Sequence, residues 1–327
     1  MDYVNLGKTG LRVSRICLGC MTYGSKNFRP WALDEAEAQP YFKAAIDAGI
    51  NFFDTADGYS MGLSEEITGR ALKALAPREN VVIATKFFST MSSEPNRGGL
   101  SRKHAMHAID ASLKRLGTDY VDLYQIHHFD RTTPIEETIE ALDDIVKAGK
   151  ARYIGASSMY AYQFAKYLYQ ADLMGKTRFV AMQNHYNPIY REEEREMIPL
   201  LIEEGIGMIP WSPLARGFVA GNRPRDGAGK TARGETDDFS KAMYFEESDY
   251  VIADRIAELA SKRGVRPAQI ALAWHFSKPY VTAPIIGASK PGHIPDAVGA
   301  LSIKLDAEDV NFLEERYVPH RVLGNLT

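Results

Sequence analysis

Cysteine is nearly missing from this 327-residue chain, where only Cys17 and Cys20 occur. Two thiols cannot staple a fold of this size, so a disulfide framework is excluded and a reducing cytoplasm is the simplest compartment. Charge of one sign is equally scarce. A net charge of −3 and a pI near 6.3 leave no electrostatic footprint for nucleic acid. No apolar run is long enough to cross a bilayer, and the opening MDYVNLGKTGLRVS lacks the h-region of an export signal. GxGxxG and GxSxG are both absent, which removes the usual marks of a Rossmann dehydrogenase and an α/β-hydrolase. GAGKT at 227–231 is no phosphate loop, because Pro224 stands where its first glycine belongs.

What is present is an alternation. GKTG between two short apolar runs predicts an N-terminal β-hairpin. Strand-like runs then follow at 16–20, 50–55, 81–86, 121–127, 151–157, 179–183, 207–211 and 283–288. Eight strands separated by amphipathic helical patterns predict an α/β fold, a (β/α)8 TIM barrel, with 1–327 as one domain. Ser64 and Ser101 are read as helix caps, and Thr133 with Pro134 as a cap and first-turn proline, with Gly149 as that helix's stop. Strand seven is followed by a long excursion over 215–249, rich in Gly and Arg. It leaves from the catalytic face of a barrel, so it is read as a flap, with a disordered surface loop as the alternative.

Three strand runs end on an ionisable residue: Asp54, Lys86 and His127. In a parallel barrel those ends share one face, and Tyr59 in FFDTADGYS follows the first of them. A free tyrosine has a pKa of about 10, and a neighbouring ammonium lowers it. Lys86 is the natural neighbour, Asp54 keeps Lys86 charged, and His127 orients a carbonyl oxygen against the Tyr59 hydroxyl. The chemistry these four allow is carbonyl reduction with Tyr59 as general acid. No side chain is a hydride donor, so a nicotinamide cofactor is required. The plain alternative is an ion pair, a packed tyrosine and a satisfied histidine. A Schiff-base lyase on Lys86 is disfavoured, since an ionised partner raises a lysine pKa. Cys17-x-x-Cys20 has no second cysteine pair for zinc and lies in a strand, and His104 and His107 have no third ligand, so no metal is expected.

The chain resembles the aldo-keto reductases over nearly its whole length, on NLGKTGLRVS, INFFDTADGYS, the Lys86 strand, LYQIHH, YIGASS, IPWSPLARG and PIIGAS. It is most similar to the bacterial branch related to potassium-channel β subunits. The resemblance implies a barrel capped below by the hairpin, with the family tetrad on Asp54, Tyr59, Lys86 and His127. For the cofactor it implies Ser157, Ser158 and Gln183 on the carboxamide and Trp211 against the nicotinamide ring, with Met21 and Thr22 nearby and Asp54 below. It further implies Ser212, Pro213, Leu214 and Arg216 at the pyrophosphate, and Ile286, Gly287, Ser289, Lys290 and His293 at the adenosine end.

Departures fall at Ser157-Ser158, where many relatives have Ser-Asn, and at that last end, where His293 replaces an arginine and Asp296-Ala297 replaces Glu-Asn. NADPH is the expected cofactor and NADH the other candidate. The substrate is expected to be a small carbonyl compound, an aldehyde or by extension a ketone, with Tyr23, Trp31, Phe87, Phe88, His128, Phe129 and the tail around His320 lining its pocket. The second functional reading is a nucleotide-redox sensor or accessory subunit that turns over slowly.

Overall fold

The computed structural model describes residues 1–221, 243–244 and 246–324. A hairpin of β1 (Tyr3–Asn5) and β2 (Arg12–Ser14) precedes eight parallel strands. These are β3 (Cys17–Gly19), β4 (Phe52–Asp54), β5 (Val82–Phe87), β6 (Val121–Ile126), β7 (Ala151–Ser157), β8 (Phe179–Gln183), β9 (Gly207–Met208) and β10 (Ile285–Ile286). Their order is β10-β3-β4-β5-β6-β7-β8-β9. The two outer strands meet at a Met208–Val281 bridge and through Thr282 N–H to Met208 O (2.8 Å) and Ile285 N–H to Pro210 O (2.9 Å), which curls the sheet into a barrel.

Strand alternation sorts the side chains into two cores. Phe52, Val82, Ala84, Leu123 and Ala181 fill the barrel interior. Phe53, Ile83, Phe87, Tyr124, Ile126 and Met182 point outward and pack under the helices. The hairpin closes the lower end with Leu6 and Val13, both fully buried. Its turn is glycine for a steric reason. Gly7 has φ 57, and a Cβ there would sit 2.7 Å from the Gly205 carbonyl oxygen.

Helix starts follow local hydrogen bonding more closely than the sequence pattern suggests. Ser101 caps Arg102–Leu116 as expected, accepting from His104 N. Ser64 does not cap its helix. A turn at Tyr59–Gly62 carries the start to Leu63, with Gly62 in the cap position, and the Ser64 hydroxyl donates to the Cys20 carbonyl (2.7 Å). Helix Ile135–Lys147 likewise starts a residue late, because Asp130 holds the Thr132 and Thr133 hydroxyls and leaves Pro134 as the cap. Gly149, at φ 73, follows its end. The phosphate-loop lookalike at 227–231 and most of the expected flap at 215–249 lie outside the described residues.

Candidate active site

The inward positions at the upper ends of neighbouring strands carry polar side chains in place of the apolar ones below. On β4 the series Phe52, Asp54 ends in a carboxylate, and on β5 the series Val82, Ala84, Lys86 ends in an ammonium. Lys86 Nζ donates to Asp54 Oδ2 (2.6 Å), the Thr55 carbonyl (2.8 Å) and the Tyr59 hydroxyl (3.2 Å). All three ammonium protons therefore have partners. Asp54 Oδ1 accepts from the side-chain amides of Gln183 (2.9 Å) and Gln125 (3.1 Å). Gln125 was absent from the sequence reading, although it stands in register with Lys86 on β6 and two residues beyond inward-facing Leu123.

Electrostatics divide these groups into distinct states. Burial opposes a charge on Lys86, but Asp54 beside it wins and the ammonium is held more firmly than a free lysine's. Burial raises the Tyr59 pKa, and Lys86 only partly pulls it back. The expected lowering of Tyr59 by Lys86 is thus outweighed, and the phenol stays protonated through neutrality. His127 packs edge-on to the Tyr59 ring at 5.7 Å between centroids and stacks on His128 at 4.9 Å. Its pKa falls well below the usual value through burial and then Lys86, so it is neutral and can donate a single N–H.

These groups open on a cleft of about 1020 Å³. It is lined by Asp54, Tyr59 and His127 and by every residue that the resemblance implies for the cofactor: Met21, Thr22, Ser157, Ser158, Gln183, Trp211, Ser212, Pro213, Leu214, Arg216, Ile286, Gly287, Ser289, Lys290 and His293. Trp211 forms the end of an aromatic column. Its ring stacks on His185 (4.3 Å, 10°), which stacks in turn on Tyr190 (4.0 Å, 15°), and its indole N–H donates to Ser158 Oγ (3.2 Å). Trp211 is therefore held rigid from behind, with a flat aromatic surface on the cleft wall. Gln183 uses its amide nitrogen on Asp54, while its amide oxygen accepts no bond among the described residues. Ser158, Ser212 and Arg216 have φ of 49, 52 and 56. Such left-handed backbone is costly for these residues and gathers here, at the cleft.

The expected substrate pocket needs correction. Trp31 and His128 do line the cleft. Phe87 does not, because it follows Lys86 and strand alternation turns it outward onto Tyr124 at 4.8 Å. Tyr23 is buried against Phe42 at 4.9 Å, Phe88 packs edge-on to His128, and Phe129 packs edge-on to Tyr167. The His320 side chain turns away to Asp249 (2.9 Å), and among the described tail residues Gly324 reaches the cleft. The wall that sequence reading missed is the loop after β3, including Lys26, Phe28, Arg29 and Leu33. Phe87→Ala is accordingly expected to cost about 3–5 kcal/mol of stability through its cavity, measured by urea unfolding.

Cys17 and Cys20 are buried free thiols. Burial pushes Cys20 up to about 12 and Cys17 well above its usual value, so neither is a thiolate near neutrality. His104 is buried and His107 meets Arg97 (2.8 Å).

Buried neutral histidines give the fold a pH signature. Burial is the first cause in each case: His127 and His185 fall well below 6.5, His128 falls to about 4 and His275 to about 3. Their folded pKa values lie below the unfolded one, so the unfolded chain binds more protons as pH drops, and stability declines from about pH 6.5 downward. His320 has the opposite sign. Asp249 raises it against its burial, and its contribution is lost as pH rises through that raised value. Asp57, raised by burial to about 7, and Glu193, raised by burial to about 8, share the sign of His320 and oppose the loss over this window. His104 and His293 are also lowered by burial, so six groups stand against three. The urea midpoint should fall already between about pH 6.5 and 5, above the range of ordinary carboxylates. A midpoint that is flat to about pH 5 would contradict this.

Comparison with known proteins places the site in context. The description "Aldo/keto reductase family" matches residues 15–317. The chain is 44% identical to versiconal hemiacetal acetate reductase of Aspergillus parasiticus over 98% of each chain. It is also 44% identical to an aldo-keto reductase of Metarhizium robertsii, covering 99% of this chain and 93% of that one. A Schizosaccharomyces pombe protein provisionally named an aryl-alcohol dehydrogenase is 43% identical, over 99% of this chain and 98% of its own. These relatives are fungal, whereas the motifs alone had suggested a bacterial branch.

Proposed function

The chain belongs to the aldo/keto reductase family of oxidoreductases, and from that premise we propose that it reduces aldehydes to alcohols with NADPH, Tyr59 acting as the general acid. The observation that carries this reading is one ammonium, Lys86 Nζ, shared between Asp54 and the Tyr59 hydroxyl on the wall of the cleft. NADPH, bound along the cleft, would supply the hydride.

The residues act around that event. His127 donates its N–H to the substrate oxygen and holds it at the Tyr59 hydroxyl. As negative charge develops on that oxygen, Tyr59 passes its proton to it, and Lys86 stabilises the phenolate left behind. Asp54 holds Lys86 in place and is itself fixed by Gln125 and Gln183. The protein groups suit the nucleotide: the Ser157 and Ser158 hydroxyls and the Gln183 amide oxygen, an acceptor, for a carboxamide, the Trp211 face for a flat ring, and Arg216 and Lys290 for phosphates. Because the acid must be protonated, the rate of reduction should hold level through neutrality and fall only at strongly alkaline pH.

The aromatic substrate wall of Trp31, Phe28 and His128 favours aldehydes that carry a ring. The names of the relatives agree in chemical class. We further read 1–327 as one barrel domain acting in the cytoplasm. Among the described residues no helix is long and apolar enough to cross a membrane. Steady-state rates with aromatic and short aliphatic aldehydes test the substrate class. A higher kcat/KM for ring-bearing aldehydes is expected, and equal values would refute the aromatic assignment. A protein that binds NADPH and reduces nothing would be the nucleotide-redox sensor.

A further inference from the structure

Glu65 is a buried acid that takes no part in the proton transfer, yet it stands close behind the groups that do. It lies in the first turn of helix Leu63–Leu75, is fully buried, and has a partner on each carboxylate oxygen. Oε1 accepts from the Thr85 hydroxyl (2.5 Å) and Oε2 from Arg115 Nε (2.6 Å). Thr85 is the residue before Lys86 on β5, and its side chain points outward where that of Lys86 points into the barrel. One carboxylate thus ties the helix that follows Tyr59 to the strand that carries Lys86.

The turn Tyr59–Gly62 leads into that helix, and its backbone is strained. Ser60, Met61 and Gly62 are all left-handed, with φ of 50, 54 and 90, which is costly for a serine or a methionine. Such a run persists only where its surroundings hold it. Before the turn, Asp57 N–H donates to the Lys86 carbonyl (3.0 Å). Within it, the Ser60 hydroxyl accepts from Ser25 N–H (3.2 Å). At its far end Arg115 lies against Gly62, where a Cβ would stand 2.6 Å from Cδ and 2.7 Å from Nε. Ser64 fastens the helix start to the ends of two other strands, accepting from the Thr55 hydroxyl (2.9 Å) and donating to the Cys20 carbonyl (2.7 Å). Glu65 supplies the hydrogen bond to β5 and also fixes Arg115 against the turn.

We propose that Glu65 is a positioning residue for the reduction: by bracing helix Leu63–Leu75 and Arg115 against Thr85, it holds the strained turn in place and so sets the contact of the Tyr59 hydroxyl with Lys86. This rests on the reductase reading of the site. The contact is 3.2 Å, the longest of the three that Lys86 Nζ makes, so it is the first that a relaxing turn loses. Asp54 and the Thr55 carbonyl keep the ammonium where it is. Tyr59 then drifts while Lys86 stays, and a displacement of about 1 Å at a reacting group is enough to cost about 10²-fold in rate. A residue that only stabilised the fold would lower the urea midpoint and leave the kcat of the folded protein alone.

The test is steady-state aldehyde reduction by the full-length protein at saturating NADPH, with urea unfolding of the same samples. Thr85→Val removes the hydroxyl that Glu65 holds and keeps the shape of the side chain. It should lower kcat by about 10- to 100-fold and leave KM for the aldehyde within about 2-fold. Glu65→Gln should repeat that loss. Thr85→Ser, which retains the hydroxyl, should restore kcat to near the wild-type value. If Thr85→Val and Glu65→Gln lower the urea midpoint but turn over at the wild-type kcat, Glu65 is structural and the proposal is wrong. If Thr85→Ser loses as much kcat as Thr85→Val, the hydroxyl is not the link, and the proposal is again wrong while the reductase reading stands. Should Glu65→Gln not fold, the two Thr85 variants decide alone. A wild type that reduces no aldehyde ends the reductase reading and the proposal with it.

Discussion

Tyr59→Phe should lower kcat for aldehyde reduction by about 10²- to 10⁴-fold, the usual worth of a positioned general acid, with cofactor affinity unchanged. The substitution removes one oxygen and little else. Tyr59 packs against His127 through its ring, and Lys86 retains Asp54 and the Thr55 carbonyl after losing the phenol. The effect should therefore fall on kcat and kcat/KM together, the mark of an interaction made in the transition state. A loss confined to KM would assign Tyr59 to substrate binding instead. Wild-type rates in the variant would remove it from the chemistry.

Lys86→Met should be the most damaging substitution for the fold as well as for activity. Lys86 is fully buried and Asp54 almost so. Removing one partner of such a pair leaves a carboxylate uncompensated inside the barrel and costs about 3–5 kcal/mol. The amides of Gln125 and Gln183 still reach Asp54, but neutral donors do not replace an ammonium. The double variant Asp54→Leu with Lys86→Met should recover most of the lost stability in urea and none of the activity. That contrast separates the two roles of the pair. If Lys86→Met is as stable as the wild type, the buried charge pair is not what the site is built on. If the double variant is active, Lys86 is not needed by Tyr59.

Much of this arrangement was legible from the chain alone, and the reasons are specific. Asp54 and Lys86 close strands whose alternation is short but regular, so their inward direction follows from Phe52 and Ala84 below them. The same rule, applied one residue further, would have turned Phe87 outward and found Gln125 beside Leu123. The loop after β3 was illegible for a different reason. Its place on the cleft depends on pairing that has no local signature, with Gly24 N–H on the Leu33 carbonyl (2.7 Å) and Leu33 N–H on that of Thr22 (2.8 Å). At Tyr59 the shift runs opposite to the expected lowering. Burial, which sequence cannot weigh, outweighs the ammonium beside it.

The central claim is that the Tyr59–Lys86–Asp54 group protonates a carbonyl oxygen while a nicotinamide held in the same cleft reduces the carbon. A single-turnover experiment tests it most directly. The purified protein is saturated with NADPH and mixed with an aromatic aldehyde, and oxidised cofactor and alcohol are quantified together. The account predicts equal amounts of the two products from the wild type, and their loss in Tyr59→Phe with NADPH still bound. Tightly bound NADPH that is never oxidised, whatever aldehyde is supplied, would contradict it.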